Sequence, residues 1–264
     1  MATNTNLLFG PLLIGVFLNC ILYGVAVVQA FMYFQNFKRD TLWIKCFVLY
    51  LIVVETINAA CDIGLIYEPL VLRWGDERAT IVSPIMLPSD AIVTVVISTP
   101  VQLFLAWRVK VMSNSSIVPI IIGFLAIISL LGGFATGITV SFINEYAEFH
   151  RFEGAPTSWL LASAAADVLI TASLVWNLYR RKSGIRVTDD VVNRIIRLTV
   201  QTGLVTAAAA IADAIIFVAS TTTINYLFDF PLSKLYTNSV LSTLNARGRW
   251  RSMSRPRGDE WINL

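Results

Sequence analysis

Two stretches of this chain, Leu7–Phe34 and Ile117–Ile143, contain no charged residue at all. Each exceeds the roughly 20 residues that an α-helix needs to cross about 30 Å of hydrocarbon. The rest of the 264 residues agrees with them. The chain is 56% hydrophobic and only 14% charged, with a mean hydropathy of +0.69, which points to lipid rather than water as its main solvent. Five further segments, Cys46–Ile66, Met86–Trp107, Trp159–Tyr179, Leu198–Ala219 and Ile224–Leu244, are of similar length and carry one or two ionisable residues each. The fold class read from this pattern is an all-α integral membrane protein, a bundle of seven transmembrane helices over residues 1–246 with a basic tail at 247–264. A count of six would discard the last segment.

The first span has no basic residues before it and an apolar run far longer than a signal peptide's, so it is expected to persist as a helix. Cys20, Cys46 and Cys61 all fall in the first two spans, leaving no loop cysteine for a disulfide-stapled outer domain. Orientation follows from the basic residues. Sixteen of the 20 lysines and arginines fall in alternate connections and in the tail: 38–45, 108–110, 180–197 and 247–257. Only Arg73, Arg78 and Arg151 lie on the other side, with Lys234 inside a span. Basic residues in short loops stay cytoplasmic, so the N-terminus is expected outside and the C-terminus inside.

The outer connections are too short to fold separately. The longest inner one, "RRKSGIRVTDDVVNRIIR", has apolar residues at helical spacing behind Thr188, and reads as a cytoplasmic extension of the sixth span capped by that threonine. Alanine runs at 162–166 and 207–212 suit close helix contact in lipid, and each is followed by an aspartate that packing alone does not explain. The only Asn-x-Ser/Thr sequon, at Asn114, falls on the cytoplasmic side and is expected to stay unmodified. Arg and Trp in the tail suit an anionic inner leaflet.

Seven ionisable residues lie within the spans: Glu55, Asp62, Asp90, Asp167, Asp213, Asp229 and Lys234. Each costs a few kcal/mol if charged and unpaired at depth, so each is a functional candidate. Counting 1.5 Å per residue from the outer ends places Asp62, Asp90 and Asp229 within roughly 6 Å of the surface, Asp213 and Asp167 at about 9 and 12 Å, and Glu55 and Lys234 near the midplane. The shallow three are within reach of the interface. None lies in the inner third, so the polar interior is expected to open outward. The neighbours share helical faces: Glu55, Asn58 and Asp62; Asp90, Thr94 and Ser98; Ser163, Asp167 and Thr171; Thr202, Thr206 and Asp213; Lys234 and Asn238. Such stripes must face each other or water. Six acids against one base cannot all be ionised and paired, and the expected partner of Lys234 is Asp213 or Glu55. Snorkelling to the surface is the alternative, if Pro231 begins the last helix.

These residues suggest two functions. One is receptor- or sensor-like binding of a small or lipophilic ligand, with Glu55, Asn58, Asp167, Asp213, Lys234 and Asn238 as ligand-binding candidates. The other is a membrane-embedded acid catalyst, a cyclase or isomerase for an isoprenoid or other lipophilic substrate, with Glu55 and Asp213 as the catalytic acids. A proton-coupled transporter would need a polar stripe in the inner half, which the ionisable residues do not supply. Retinal attachment at Lys234 is disfavoured because the third span, "DAIVTVVISTPVQLFLAW", lacks the aromatic-flanked aspartate arrangement of microbial rhodopsins. The signatures of common G-protein-coupled receptors are missing too, with "AWRVK" after the third span. No metal, no cofactor and no nucleic-acid partner are expected: the single histidine, His150, lies in a loop. Membrane lipid is the expected surrounding partner, in the plasma membrane or an endomembrane.

Three segments carry a resemblance. "AADVLITASLVWNL", "LTVQTGLVTA" and above all "LSKLYTNSVLSTLNAR" resemble an expanded, uncharacterised seven-transmembrane family of mushroom-forming (basidiomycete) fungi, over about Pro11 to Arg247. The resemblance implies a fungal multi-pass membrane protein with Lys234, Tyr236, Asn238, Ser239 and Asn245 as motif positions. Asp229 and Pro231 are not among those positions. It does not choose between receptor and enzyme.

Overall fold

The computed structural model describes residues 5–113, 115–143, 154–180, 186–219 and 223–246, and within these it is all-helical. Seven long helices follow one another: α1 (Thr5–Asn36), α2 (Leu42–Tyr67), α3 (Leu87–Ser113), α4 (Ile117–Phe142), α5 (Gly154–Arg180), α6 (Arg186–Ala219) and α7 (Tyr226–Ala246). Each packs against its neighbours in sequence, α7 closes back onto α1, and α3 also touches α5 and α7. Six of them, α1 to α6, are long and apolar enough to cross a bilayer. The seventh, at 21 residues, is long enough at about 31 Å, but its sequence is more polar because its inward side carries Ser233, Lys234, Thr237 and Thr243.

The distribution of side chains is that of a protein dissolved in hydrocarbon. Phe17, Ile21, Val25 and Val28 of α1, and Ile120, Phe124, Ile127 and Leu131 of α4, stand exposed at three- and four-residue intervals. Among the described residues, twenty-four polar or charged side chains are buried instead. Because lipid tails are as apolar as leucine, close van der Waals fit and internal hydrogen bonds hold such helices together. Gly133 and Gly137 let α4 lie against Val95 and Ile92 of α3, where any Cβ would collide; at Gly137 it would come 2.5 Å from Ile92 Cγ1. On the other side of the bundle, α1 and α7 run parallel and are clamped by amide side chains. Asn238 Nδ2 donates to the Leu22 carbonyl at 3.0 Å and Asn245 Nδ2 to the Gln29 carbonyl at 2.8 Å, the same step of seven residues on both helices.

Proline is accommodated in the way a dry interior demands. Pro100 within α3 lacks the N–H that would bond the carbonyl of Val96, and Tyr50 of α2 supplies the missing donor, its hydroxyl 2.7 Å from that oxygen.

Several sequence expectations are revised. The helices run beyond the apolar segments: α5 begins at Gly154 rather than Trp159, and α2 at Leu42 rather than Cys46. The sixth helix is continuous from Arg186, so Thr188 is inside it and does not cap it, since an N-cap residue must leave helical geometry. The connection after α2 is not featureless. A π-helical turn at Glu68–Leu72 continues the helix, and a 3-10 turn at Glu77–Thr80 follows, started by Asp76, whose carboxylate accepts from the Arg78 N–H at 2.9 Å. Asn114, His150, Arg151 and the tail at 247–264 lie outside the described residues.

Candidate functional site

Three groups of buried polar side chains lie in the bundle, at successive depths from the N-terminal end of α1. The middle group surrounds Lys234. Pro231 neither begins nor breaks α7, which runs through it from Tyr226, and this places Ser233, Lys234 and Thr237 toward α2. Lys234 Nζ is 2.6 Å from Glu55 Oε2 with both side chains fully buried. It also donates to Asn58 Oδ1 and, at 3.3 Å, to Ser233 Oγ. An ammonium has three donors, and all three are used. The second Glu55 oxygen accepts from Thr237 Oγ1 at 2.5 Å. Asn19 of α1 completes the layer, its Nδ2 donating to Asp62 Oδ2 at 2.7 Å and to the Phe230 carbonyl at 2.8 Å. Between the two partners anticipated for Lys234, the structure selects Glu55. Snorkelling is excluded, because no part of Lys234 is exposed.

A second group lies deeper, between α3, α5 and α7. Asp167 accepts from Gln102 Nε2 at 3.0 Å on one oxygen and from the Tyr236 hydroxyl at 2.8 Å on the other. Ser163 bridges the same two donors, 3.1 Å from Gln102 Nε2 and 2.8 Å from the Tyr236 hydroxyl. Beyond Asp167, a pocket of about 370 Å³ is lined by Thr171, Thr199, Thr202, Thr206, Ser239 and Thr243. Its position corrects the expectation of a polar interior confined to the outer two-thirds. Thr243 is within one turn of the C-terminal end of α7, and a count of ionisable residues alone passes over hydroxyls.

The third group lines a partly open cavity between the starts of α3, α5 and α7 and the ends of α4 and α6. Its walls are mostly apolar, including Leu87, Ala91, Val140, Trp159, Leu160, Phe217 and Tyr226, and three carboxyls stand among them: Asp90, Asp213 and Asp229. No lysine or arginine among the described residues lines it. The side chains of Asp90 and Asp229 adjoin each other, and Asn225 reaches Asp213. One oxygen of Asp213 and one of Asp229, Oδ1 in both, has no hydrogen-bond partner among the described residues, although the side chains are only 2% and 8% exposed. Asn58 links this group to the middle one, donating from Nδ2 to Asp90 Oδ1 at 3.3 Å.

The candidates chosen from sequence are therefore divided. Glu55, Asn58 and Lys234 come together in a network in which each of their own polar side-chain atoms has a partner, while Oδ1 of Asn19 and of Asp62 beside them has none among the described residues. Asp167 sits in the second group and Asp213 in the third. Asn238 belongs to none of them, because it faces α1 and is spent on the Leu22 carbonyl. Asp62, Asp90 and Asp229 do not reach the interface: they turn inward and are at most 8% exposed. Two residues were missed. Gln102 continues the four-residue stride of Asp90, Thr94 and Ser98, so extending that stripe by one turn would have found it. Asn19 is a lone amide in a span chosen for its lack of charge, and only its contacts reveal it. The three cysteines are free, and no group of three or more His, Cys, Asp or Glu side chains among the described residues is arranged to hold a metal ion.

A family model described as a family of unknown function (DUF6534) matches residues 163–249, the stretch from Ser163 past the end of α7. That stretch contributes Asp167, Asp213, Asp229 and Lys234, one or more residues to each polar group. No curated protein and no solved structure matches the chain.

Proposed function

We propose that the protein is a seven-span membrane protein that binds a small lipophilic ligand in the cavity lined by Asp90, Asp213 and Asp229, as a receptor or sensor does. The observation that carries this reading is a pair of buried carboxylate oxygens, on Asp213 and Asp229, left without partners beside open space. Buried polar groups in native proteins are almost always satisfied, and an orphan that borders a cavity is where a ligand's donors belong. The lysine and arginine asymmetry supports an outside N-terminus with α7 as the seventh span, and in that orientation the cavity opens to the outer face.

Mass spectrometry of the purified protein provides the test. A small molecule distinct from bulk lipid, retained by the wild type and lost in Ala155→Trp, which fills the cavity wall, is the expected result. An identical extract from both proteins would sink the reading.

Acid catalysis is the second reading, favoured by the same carboxyls lying against Trp159, Phe217 and Tyr226, whose ring faces stabilise cations. The acids would then be Asp213 with the Asp90–Asp229 pair. Glu55 would not serve, since its oxygens are held by Lys234 and Thr237. Expression in a fungal host supplied with isoprenoid precursors separates the readings. A new product that disappears in Asp213→Asn indicates an enzyme, and an unchanged lipid profile indicates a binding protein.

A further inference from the structure

Resting on the ligand-pocket reading, we infer that the ligand is an organic ammonium: a protonated amine on a compact apolar body, its N–H groups directed at Asp213 and Asp229.

The chemistry of the cavity wall argues by exclusion. Three carboxyls line it, and no lysine or arginine among the described residues does. Lys234, which might have neutralised these acids through the shared residue Asn58, has all its donors engaged by Glu55, Asn58 and Ser233. A wholly apolar ligand would bury the Asp213 and Asp229 oxygens without giving them donors, and an unmet buried acceptor costs about 1–3 kcal/mol. A carboxylate or phosphate would place like charges together in a medium that screens them poorly. An alcohol has one hydrogen to give, whereas two separate carboxylate oxygens are open. An ammonium provides several donors and a charge opposite to that of the wall, and its attraction to the face of Trp159 adds to both. The wall beyond the acids is apolar, so the remainder of the ligand must be apolar enough to suit Leu87, Val140, Leu160 and Phe217.

The test holds the apolar body constant and varies only the polar group. 1-Adamantanamine, 1-adamantanol and 1-adamantanecarboxylate share one cage and are, at neutral pH, a cation, a neutral donor and an anion. Binding of each to the full chain in maltoside micelles is measured by titration calorimetry against empty micelles. The expected result is that the amine binds at least about tenfold more tightly than either analogue, a difference of about 1.4 kcal/mol. That preference is expected to vanish in Asp213→Asn/Asp229→Asn and in Ala155→Trp, which blocks the space while leaving the acids in place. Asp167→Asn, in a different polar group, is expected to keep it. If the alcohol binds as well as the amine, the ammonium is overturned and the lipophile pocket survives. Tighter binding of the carboxylate overturns the charge argument outright. A preference that persists in both cavity variants shows that the amine sits elsewhere and overturns the site. Should none of the three bind, the inference fails, and the retained-molecule experiment decides whether the pocket reading fails with it.

Discussion

Lys234 and Asp213 are both ionisable residues buried in the same bundle, joined through Asn58 and Asp90, and yet their surroundings are opposite. Around Lys234, the three ammonium donors meet Glu55, Asn58 and Ser233, and Glu55 takes a further bond from Thr237. Around Asp213, carboxyls face a cavity and two of their oxygens have no hydrogen-bond partner among the described residues. A closed network fixes helices in register, and a ligand would have to break it to enter. An open one is costly to maintain and is available to a partner from outside. Burial alone is the same in the two places, so what separates scaffold from site is whether the charges are paired and the hydrogen-bonding capacity beside the cavity is used up.

This contrast can be broken most readily at Lys234. Lys234→Met leaves Glu55 as an unpaired buried charge and is expected to cost about 3–5 kcal/mol, read as a large loss of folded protein in thermal unfolding. Adding Glu55→Gln is expected to restore most of it and adding Asp213→Asn none of it. Rescue by the second and not by the first would assign the lysine to the wrong network. Next in size is Gln102→Leu, which strips Asp167 and Ser163 of a shared donor and is expected to cost about 1–3 kcal/mol. Asn238→Ala and Asn245→Ala, which loosen α7 from α1, should each cost about 0.6 kcal/mol, the mean for hydrogen bonds between helices in a bilayer. Their effects should add, since the two lie about 10 Å apart along the helix. Smallest of all is Asp213→Asn, expected within about 0.5 kcal/mol of wild type or slightly more stable, because it removes a buried charge that has an empty side. A loss there as large as that of Lys234→Met would erase the distinction between the two regions.

Much of the architecture was legible beforehand, for a reason particular to lipid. A polar residue cannot face hydrocarbon, so the stripes Glu55–Asn58–Asp62 and Asp90–Thr94–Ser98 fixed which sides of α2 and α3 turn inward before any partner was known. The reading failed where it relied on distance along one helix. Depth placed Asp90 and Asp229 near the interface, but both turn inward, away from it. Counting only ionisable groups left out Gln102 and the threonine-lined pocket beneath Asp167, and it credited Asn238 with a site role when a backbone carbonyl on α1 takes its amide.

Taken alone, the sequence determined the solvent of this protein, the helices that meet it and the faces they bury, because those follow from composition and a 3.6-residue period within single segments. Which acid holds Lys234, which carboxyls are left facing a cavity and which amides are spent on clamping helices were decided by the tertiary structure. Glu55 and Lys234 are 179 positions apart, and their meeting depends on the rotation and relative height of α2 and α7. The position of α7 is set in part by its contact with α1, where Gly15 meets the Tyr226 carbonyl and the backbone approach leaves no room for a Cβ. Hydrogen bonds reach only about 3 Å, so a small slide of one helix would exchange satisfied and unsatisfied partners while leaving every sequence pattern unchanged.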